Sequence, residues 1–212
     1  MKIFVYGNEE QQNEIRSGFS PGNLIFKFEN RLPENEEYKD HDAFLILSDF
    51  SGETDFRLFQ NKPVLINAVI ETLAELNFPL NVSRINAWPG FLESAVWEIA
   101  SKDPNPIENI FKDFHRKLFF VKDEPGLVAG RVISMIVNEA FFALGENISS
   151  KEEIDLAMKL GTNYPRGPFE WVQKIGIEKI YFLLEKLSEK EERYSPAPAL
   201  EKRFLQQQQT KL

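Results

Sequence analysis

Hydrophobic and polar positions change their rhythm about halfway along the chain. The first 120 or so residues alternate short apolar runs with polar connectors, whereas the remainder carries longer stretches of helical period. Five runs rich in Val, Ile or Phe and bounded by Gly, Asn, Asp or Pro predict strands: Lys2 to Tyr6, Asn23 to Phe28, Ala43 to Leu47, Pro63 to Ala68 and Ser83 to Ala87. Helical patterns lie between some of them, at Glu9 to Arg16 and Glu71 to Leu76, so an open, mostly parallel α/β sheet is expected. After Pro106 the spacing predicts a helix over Ile107 to Leu118 and a short strand over Phe119 to Lys122, with Asp123 to Gly126 as the hinge.

Beyond Gly126, Val128, Val132, Met135, Ile136, Glu139, Phe142 and Ala143 recur largely at three- and four-residue spacing, as in a long helix packed on a core. Ser149 or Ser150, followed by Glu152 and Glu153, reads as a capping box opening a second helix with Ile154, Ala157 and Met158 inward, ended by Gly161. Pro168, Phe169 and Trp171 begin a third segment that breaks near Gly176 and resumes through Ile180 to Leu187. The tail, with Pro196, Pro198 and the Gln206 to Gln209 run, reads as polar and flexible. The expected division is therefore 1–122, a sheet domain; 123–195, helices only; and 196–212, a tail.

Composition removes several functions. The chain has 212 residues, is 42% apolar and carries 33 acidic against 25 basic residues, a net charge of −8. Binding a phosphate backbone needs clustered Lys and Arg, but the densest group here, Lys112, Arg116 and Lys117, is interleaved with acids, so no nucleic-acid partner is expected. There is no Cys, which excludes disulfides, thiolate metal sites and cysteine nucleophiles. No metal site is expected. No apolar run approaches the length of a membrane span and Met1 to Gly7 does not read as a signal peptide, so the expectation is the cytoplasm and no membrane.

Four motifs carry a resemblance. Asp123-Glu124-Pro125-Gly126-Leu127-Val128-Ala129-Gly130-Arg131 resembles an Asp-x-Pro-Gly-Phe-x-x-Asn-Arg signature, and Asn138-Glu139-Ala140 matches an Asn-Glu-Ala run in the helix that follows it. Glu153-Ile154-Asp155-Leu156-Ala157-Met158-Lys159-Leu160-Gly161 and Tyr164-Pro165-Arg166-Gly167-Pro168-Phe169-Glu170 resemble Asp-Ile-Asp-x-Ala-Met-x-x-Gly and Tyr-Pro-x-Gly-Pro-Phe-Glu. In this order and spacing they are similar to the helical domain of the 3-hydroxyacyl-CoA dehydrogenase family. The resemblance implies a Rossmann-like domain that binds NAD, then a helical domain that dimerises and helps enclose an acyl-CoA. The implied reaction, in fatty-acid metabolism, is hydride transfer from the 3-hydroxyl carbon to NAD, with a His as general base and a Glu orienting it.

The implied catalytic parts depart from that pattern. Of the dinucleotide fingerprint that should follow the first strand, Gly7 alone is kept, and Glu9 and Glu10 place carboxylates where a helix N-terminus would attract phosphates. The family's His-Phe-Phe-Asn-Pro segment resembles Ile85-Asn86-Ala87-Trp88-Pro89, with the His position on Ile85 or Asn86 according to the alignment chosen. Neither can act as a general base, since neither titrates near neutrality. Glu98, after a strand-like Ala95-Val96-Trp97, fits the orienting carboxylate. The histidines His41 and His115 lie elsewhere and read as surface or boundary residues. The signature Asn is Gly130, and of an Asn-Thr-Ser motif Asn67 is kept while Val69 stands at the Ser. The N-terminal region is also short for the family, which implies missing strand–helix units. Two readings follow. One is an NAD-dependent 3-hydroxyacyl-CoA or 3-hydroxybutyryl-CoA dehydrogenase of impaired activity; the alternative is a non-catalytic dimeric binding or assembly module that keeps the fold. The expected homodimer face comprises Val132, Ile136, Phe141, Phe142 and Leu144, with Ile177, Ile180, Tyr181, Leu184 and Leu187.

Overall fold

The computed structural model describes residues 1–17, 24–49, 54–111 and 116–210. They form two compact units, Met1–Leu127 and Val128–Leu212. The first is a Rossmann-like α/β unit and the second is all α.

The first unit is built on a seven-stranded sheet: β1 (Lys2–Tyr6), β2 (Ile25–Glu29), β3 (Ala43–Asp49), β4 (Val64–Asn67), β5 (Val82–Ile85), β6 (Val96–Ala100) and β7 (Lys117–Phe120), in the order β2-β1-β3-β4-β5-β6-β7. All neighbours are parallel except β5 and β6. Alternating side chains build two cores. On one face Ile3, Val5, Leu45, Leu65, Ile85, Trp97 and Ile99 pack with Ile15 of α1 (Glu9–Ser17) and Ile107, Ile110 and Phe111 of α3 (Asn105–Phe111). On the other, Phe4, Phe44, Ile46, Val64 and Ile66 meet Phe59, Leu73 and Phe78.

Beyond the four-residue α2 (Glu37–Asp40) and a 3-10 turn at Phe56–Phe59, the second face is closed by rings: Phe44 against Phe59 at 4.8 Å, Tyr38 against Phe59 at 5.1 Å and Phe56 against Phe78 at 4.7 Å, each edge-to-face. Aromatic side chains bury about 150–250 Å² apiece, so these rings supply much of the apolar area on this face.

Two expected elements differ. Glu71 to Leu76 makes a single turn instead of a helix. Thr72 and Glu75 cap one another, and the first-turn amides of Leu73 and Ala74 donate to the Asp123 carboxylate at 3.0 and 3.1 Å. Pro79 then follows Asn77, whose backbone is left-handed. The helix expected through Leu118 ends earlier, because Lys117 and Leu118 join β7, where Leu118 and Phe120 pack on the core and Phe119 faces outward.

Asp123 also pairs with Arg84, whose side chain is fully buried and donates to the carbonyls of Ala68 (2.6 Å) and Val69 (3.0 Å). Burial pulls the guanidinium below its usual range while the Asp123 partner opposes that shift. Val69 O accepts in addition from Gly126 N at 2.7 Å, and Gly126 holds the positive φ of 83° that this Pro-Gly turn requires.

The second unit consists of α4 (Ala129–Gly145), α5 (Lys151–Thr162), α6 (Pro168–Ile175), α7 (Ile177–Ser188) and α8 (Pro198–Thr210), with a 3-10 turn at Glu192–Tyr194. Helix α4 is central and packs against α6, α7 and α8. The segment read as a flexible tail is helix α8, whose Leu200 and Phe204 are buried; the Phe204 ring stacks on Tyr181 at 4.1 Å. Its glutamines and charges lie on the outer face of a helix whose apolar residues recur four apart. The Ser150–Glu153 capping box opens α5, but α5 buries no residue: Ile154 and Met158 are half-buried and Ala157 is exposed.

Removing one partner from a buried ion pair leaves an uncompensated charge, which costs about 3–5 kcal/mol. Asp123→Ala is therefore expected to lower the unfolding free energy of the sheet unit by about that amount in urea titration, with Arg84→Met less harmful because Asp123 is partly exposed. Equal effects of the two substitutions would contradict this account.

Candidate functional site

In an open parallel sheet the crevice forms at the carboxyl ends of the strands, where the strand order reverses. Here that point lies between β1 and β3. Gly7, immediately after β1, donates its amide to Glu29 O at 3.3 Å. Asn8 caps helix α1: its carboxamide oxygen accepts from Gln11 N at 2.9 Å while Gln11 Oε1 accepts from Asn8 N at 3.1 Å. The same Gln11 side chain donates through Nε2 to Leu47 O (2.6 Å) and Ala87 O (2.9 Å), spanning the ends of β3 and β5. Gln12 Nε2 bonds Gly7 O and Glu29 O at 2.8 and 3.0 Å. A Cβ on Gly7 would meet Gln11 Oε1 at 3.1 Å and Leu47 Cβ at 3.2 Å.

Helix α1 also grips the segment where the general base was sought. The buried Glu14 accepts from Gly90 N at 2.7 Å and Leu92 N at 3.0 Å, and Trp97 Nε1 donates to Leu92 O at 3.1 Å. The antiparallel register pairs Arg84 with Ala100 and Ile85 with Ile99, so one step further sets Asn86 opposite Glu98. Ile85 is wholly within the core, which leaves Asn86 at the position beside the half-buried Glu98. Asn86 is 4% exposed; its Oδ1 accepts from Trp88 N, and its Nδ2 has no hydrogen-bond partner. Asn67, also buried, accepts from Ala87 N at 3.0 Å and donates to Asp49 at 3.1 Å.

The remaining candidates lie elsewhere. His41 sits at the amino end of β3, its Nδ1 2.9 Å from Glu37 O and its ring edge-on to Phe4 at 5.3 Å, away from the carboxyl edge. His115 falls outside the described residues. Gly130 is buried in α4. No group of three or more His, Asp or Glu among the described residues could hold a metal. Sequence reasoning missed Gln11, Glu14 and Glu29. Glu29 ends β2 about twenty residues past Gly7, the spacing of a ribose-binding carboxylate, but its side chain pairs with Lys27 at 3.3 Å. Lys27 in turn joins Arg31 on Glu37, and these two hold the Glu37 carboxyl far below the usual carboxylate range, Arg31 contributing most.

In the helical unit the motif residues turn out to be joints. Asp155 of α5 accepts from Phe169 N at 2.8 Å and so caps α6; burial pushes its carboxyl up. Glu170 closes the same turn, accepting from Gly167 N at 2.9 Å and from Lys159, the contact that chiefly lowers its pKa. Asn138 donates to Ser195 O at 2.9 Å and accepts from Ala197 N at 2.8 Å. Two adjoining apolar grooves run along α4. One, of about 250 Å³, lies between α4, α5 and α6 over Ile136, Ala140, Ile154 and Met158. The other, of about 370 Å³, is bordered by Arg131, Met135, Arg193 and Tyr194.

Residues 126–211 match the model of the 3-hydroxyacyl-CoA dehydrogenase C-terminal domain. The helical unit belongs to the 3-hydroxyacyl-CoA dehydrogenase family. Its relatives include 3-hydroxyadipyl-CoA dehydrogenase of Escherichia coli K12, 44% identical over 87 residues that make up 40% of this chain and 18% of that protein. A probable 3-hydroxybutyryl-CoA dehydrogenase of Bacillus subtilis is 37% identical over 39% of this chain and 29% of its own length. The chain thus spans less than a third of these curated 3-hydroxyacyl-CoA dehydrogenase relatives. Among solved structures, an Escherichia coli 3-hydroxybutyryl-CoA dehydrogenase is 34% identical with a TM-score of 0.55, over 66% of this chain and 31% of that one. Mycobacterium tuberculosis FadB2 superposes over 97% of this chain and 94% of its own with a TM-score of 0.71; at 13% identity this shows the shared fold.

The joint between α5 and α6 is testable. A Cβ at Gly167 would lie 2.3 Å from Asp155 Oδ1 and 2.5 Å from Asp155 Cβ, so no rotamer change of Asp155 relieves it. Gly167→Ala is expected to cost about 1–3 kcal/mol in chemical denaturation, the range of overpacked cores. An unchanged midpoint would show that this family motif is not a packing constraint.

Proposed function

We propose that this chain is a catalytically impaired relative of the 3-hydroxyacyl-CoA dehydrogenases, in which dimeric binding or assembly has outlasted hydride transfer. The observation that carries the reading is the buried Asn86 directly after β5, where one further step of the β5–β6 register would face Glu98. Oxidising a 3-hydroxyl requires its proton to leave as the hydride departs, and a carboxamide cannot accept that proton at neutral pH. Glu98 stands where the family's orienting carboxylate is implied, and Asn86 stands where its imidazole would be. NAD, implied by the family, binds weakly or not at all, and the crossings made by Gln11 and Gln12 support that reading. Acyl-CoA remains a ligand to test.

A homodimer through the helical unit fits its surface, with a corrected set of residues. Phe141, Ile177, Ile180, Leu184 and Leu187 are buried within a single chain and cannot form its face. Val128 and Val132, 51% and 46% exposed on α4, together with the grooves over Ile136, offer apolar surface that a two-fold partner would cover. No helix among the described residues is long and apolar enough to cross a membrane, and the cytoplasm is the proposed location.

With NADH and acetoacetyl-CoA the expected turnover is at least about 100-fold below that of a dehydrogenase with its base in place. A rate within the ordinary enzymatic range of about 1–10³ s⁻¹ would sink the reading. By light scattering the chain should run at twice its 24.6 kDa mass. Val132→Asp should halve that mass without loss of helix, whereas Phe141→Asp should unfold the unit; a single-chain mass at all concentrations would refute the dimer.

A further inference from the structure

We infer that this chain excludes a dinucleotide from its own crevice: the buried Gln11 side chain of α1 takes up the space that a pyrophosphate would need, the amides of Gly7, Asn8 and Gln11 are spent on Glu29 O, Gln11 Oε1 and Asn8 Oδ1, and Glu14 adds a buried carboxylate one turn further along the same helix. The inference deepens the proposal that NAD binds weakly or not at all, by naming the residues responsible.

A pyrophosphate held at a helix N-terminus needs free backbone amides, room for its oxygens against the strand ends, and a favourable field. The amides of Gly7, Asn8 and Gln11 are already bonded, to Glu29 O, Gln11 Oε1 and Asn8 Oδ1. The room is taken by the Gln11 side chain, buried at 3% exposure and fixed at three of its hydrogen-bonding positions; even a methyl group on Gly7 would be crowded against it. The field is reversed, because Glu9 and Glu10 stand exposed in the first turn and Glu14 is buried a turn later.

The side chains also bond two strand ends that would otherwise hold unpaired carbonyls. Gln11 ties β1's helix to Leu47 and Ala87, and the Glu14 carboxylate draws the Gly90 and Leu92 amides onto the same helix. A bound cofactor commonly braces such a crevice; here α1 is the brace, and it is permanent.

The test pairs NADH titration with amide exchange on the full chain. The wild type should show neither enhanced NADH fluorescence nor a raised Tm at millimolar NADH. Its Gly90 and Leu92 amides should exchange slowly without ligand, and Glu14→Gln should speed both by about tenfold or more, since it removes a charge-assisted acceptor. Gln11→Ala should lower the Tm. If either variant fails to fold, the wild-type titration and its exchange rates at those two amides still decide. Fast exchange at both wild-type amides, or saturable micromolar NADH binding, would overturn the inference. NADH binding without turnover of acetoacetyl-CoA would overturn it alone and leave the impaired-enzyme reading standing, whereas turnover would overturn both.

Discussion

Every strand of a parallel sheet ends in backbone groups with no further partner in the ladder, and at the carboxyl edge those groups must be bonded by something. In this chain the edge is sealed by side chains of the protein itself. Gln11 crosses from β1's helix to the ends of β3 and β5, Asn67 holds Ala87 N, and Arg84 gathers the carbonyls that follow β4. Much else depends on that sealing. It fixes the segment from Asn86 to Leu92, it sets Asn86 opposite Glu98, and through Arg84 and Asp123 it anchors the turn that leads out of the sheet unit.

The parts of the fold legible in the sequence were those in which one local pattern decides the outcome. The strands from β1 to β5 are apolar runs between turn residues, and helix α6 opens on Gly-Pro followed by buried Phe169 and Trp171. Elsewhere local pattern misled. Glu71 to Leu76 has helical spacing, and its first turn is capped by the Asp123 carboxylate some fifty residues away, but the left-handed Asn77 and then Pro79 stop it after that turn. The Gln206 to Gln209 run looks like a solvated tail because its composition hides Leu200 and Phe204, which alone decide that α8 packs. At the site, the departures from the family pattern were legible, since each is visible as a letter. The hydrogen bonds of α1 were not: two glutamines and a glutamate on a short amphipathic helix carry no sign of the distant backbone groups that they reach.

The family motifs of the helical unit acquire a physical meaning of their own. Asp155, Gly167, Phe169 and Glu170 form one capped corner in which two carboxylates, a residue without a side chain and two backbone amides fit together. Such a corner constrains how α5 and α6 pack, independently of any chemistry elsewhere in the chain.

Asn138 has a consequence for the order of folding. Its carboxamide on α4 is completed only by Ser195 and Ala197, the latter 59 residues further along. On a translating ribosome α4 therefore waits, with a buried polar group unmet, until that distant segment emerges, whereas each strand of the sheet finds a neighbour sooner. Local contacts form fastest and distant closure is slow. A chain that ends before residue 197 is expected to leave the helical unit without its closure at Asn138.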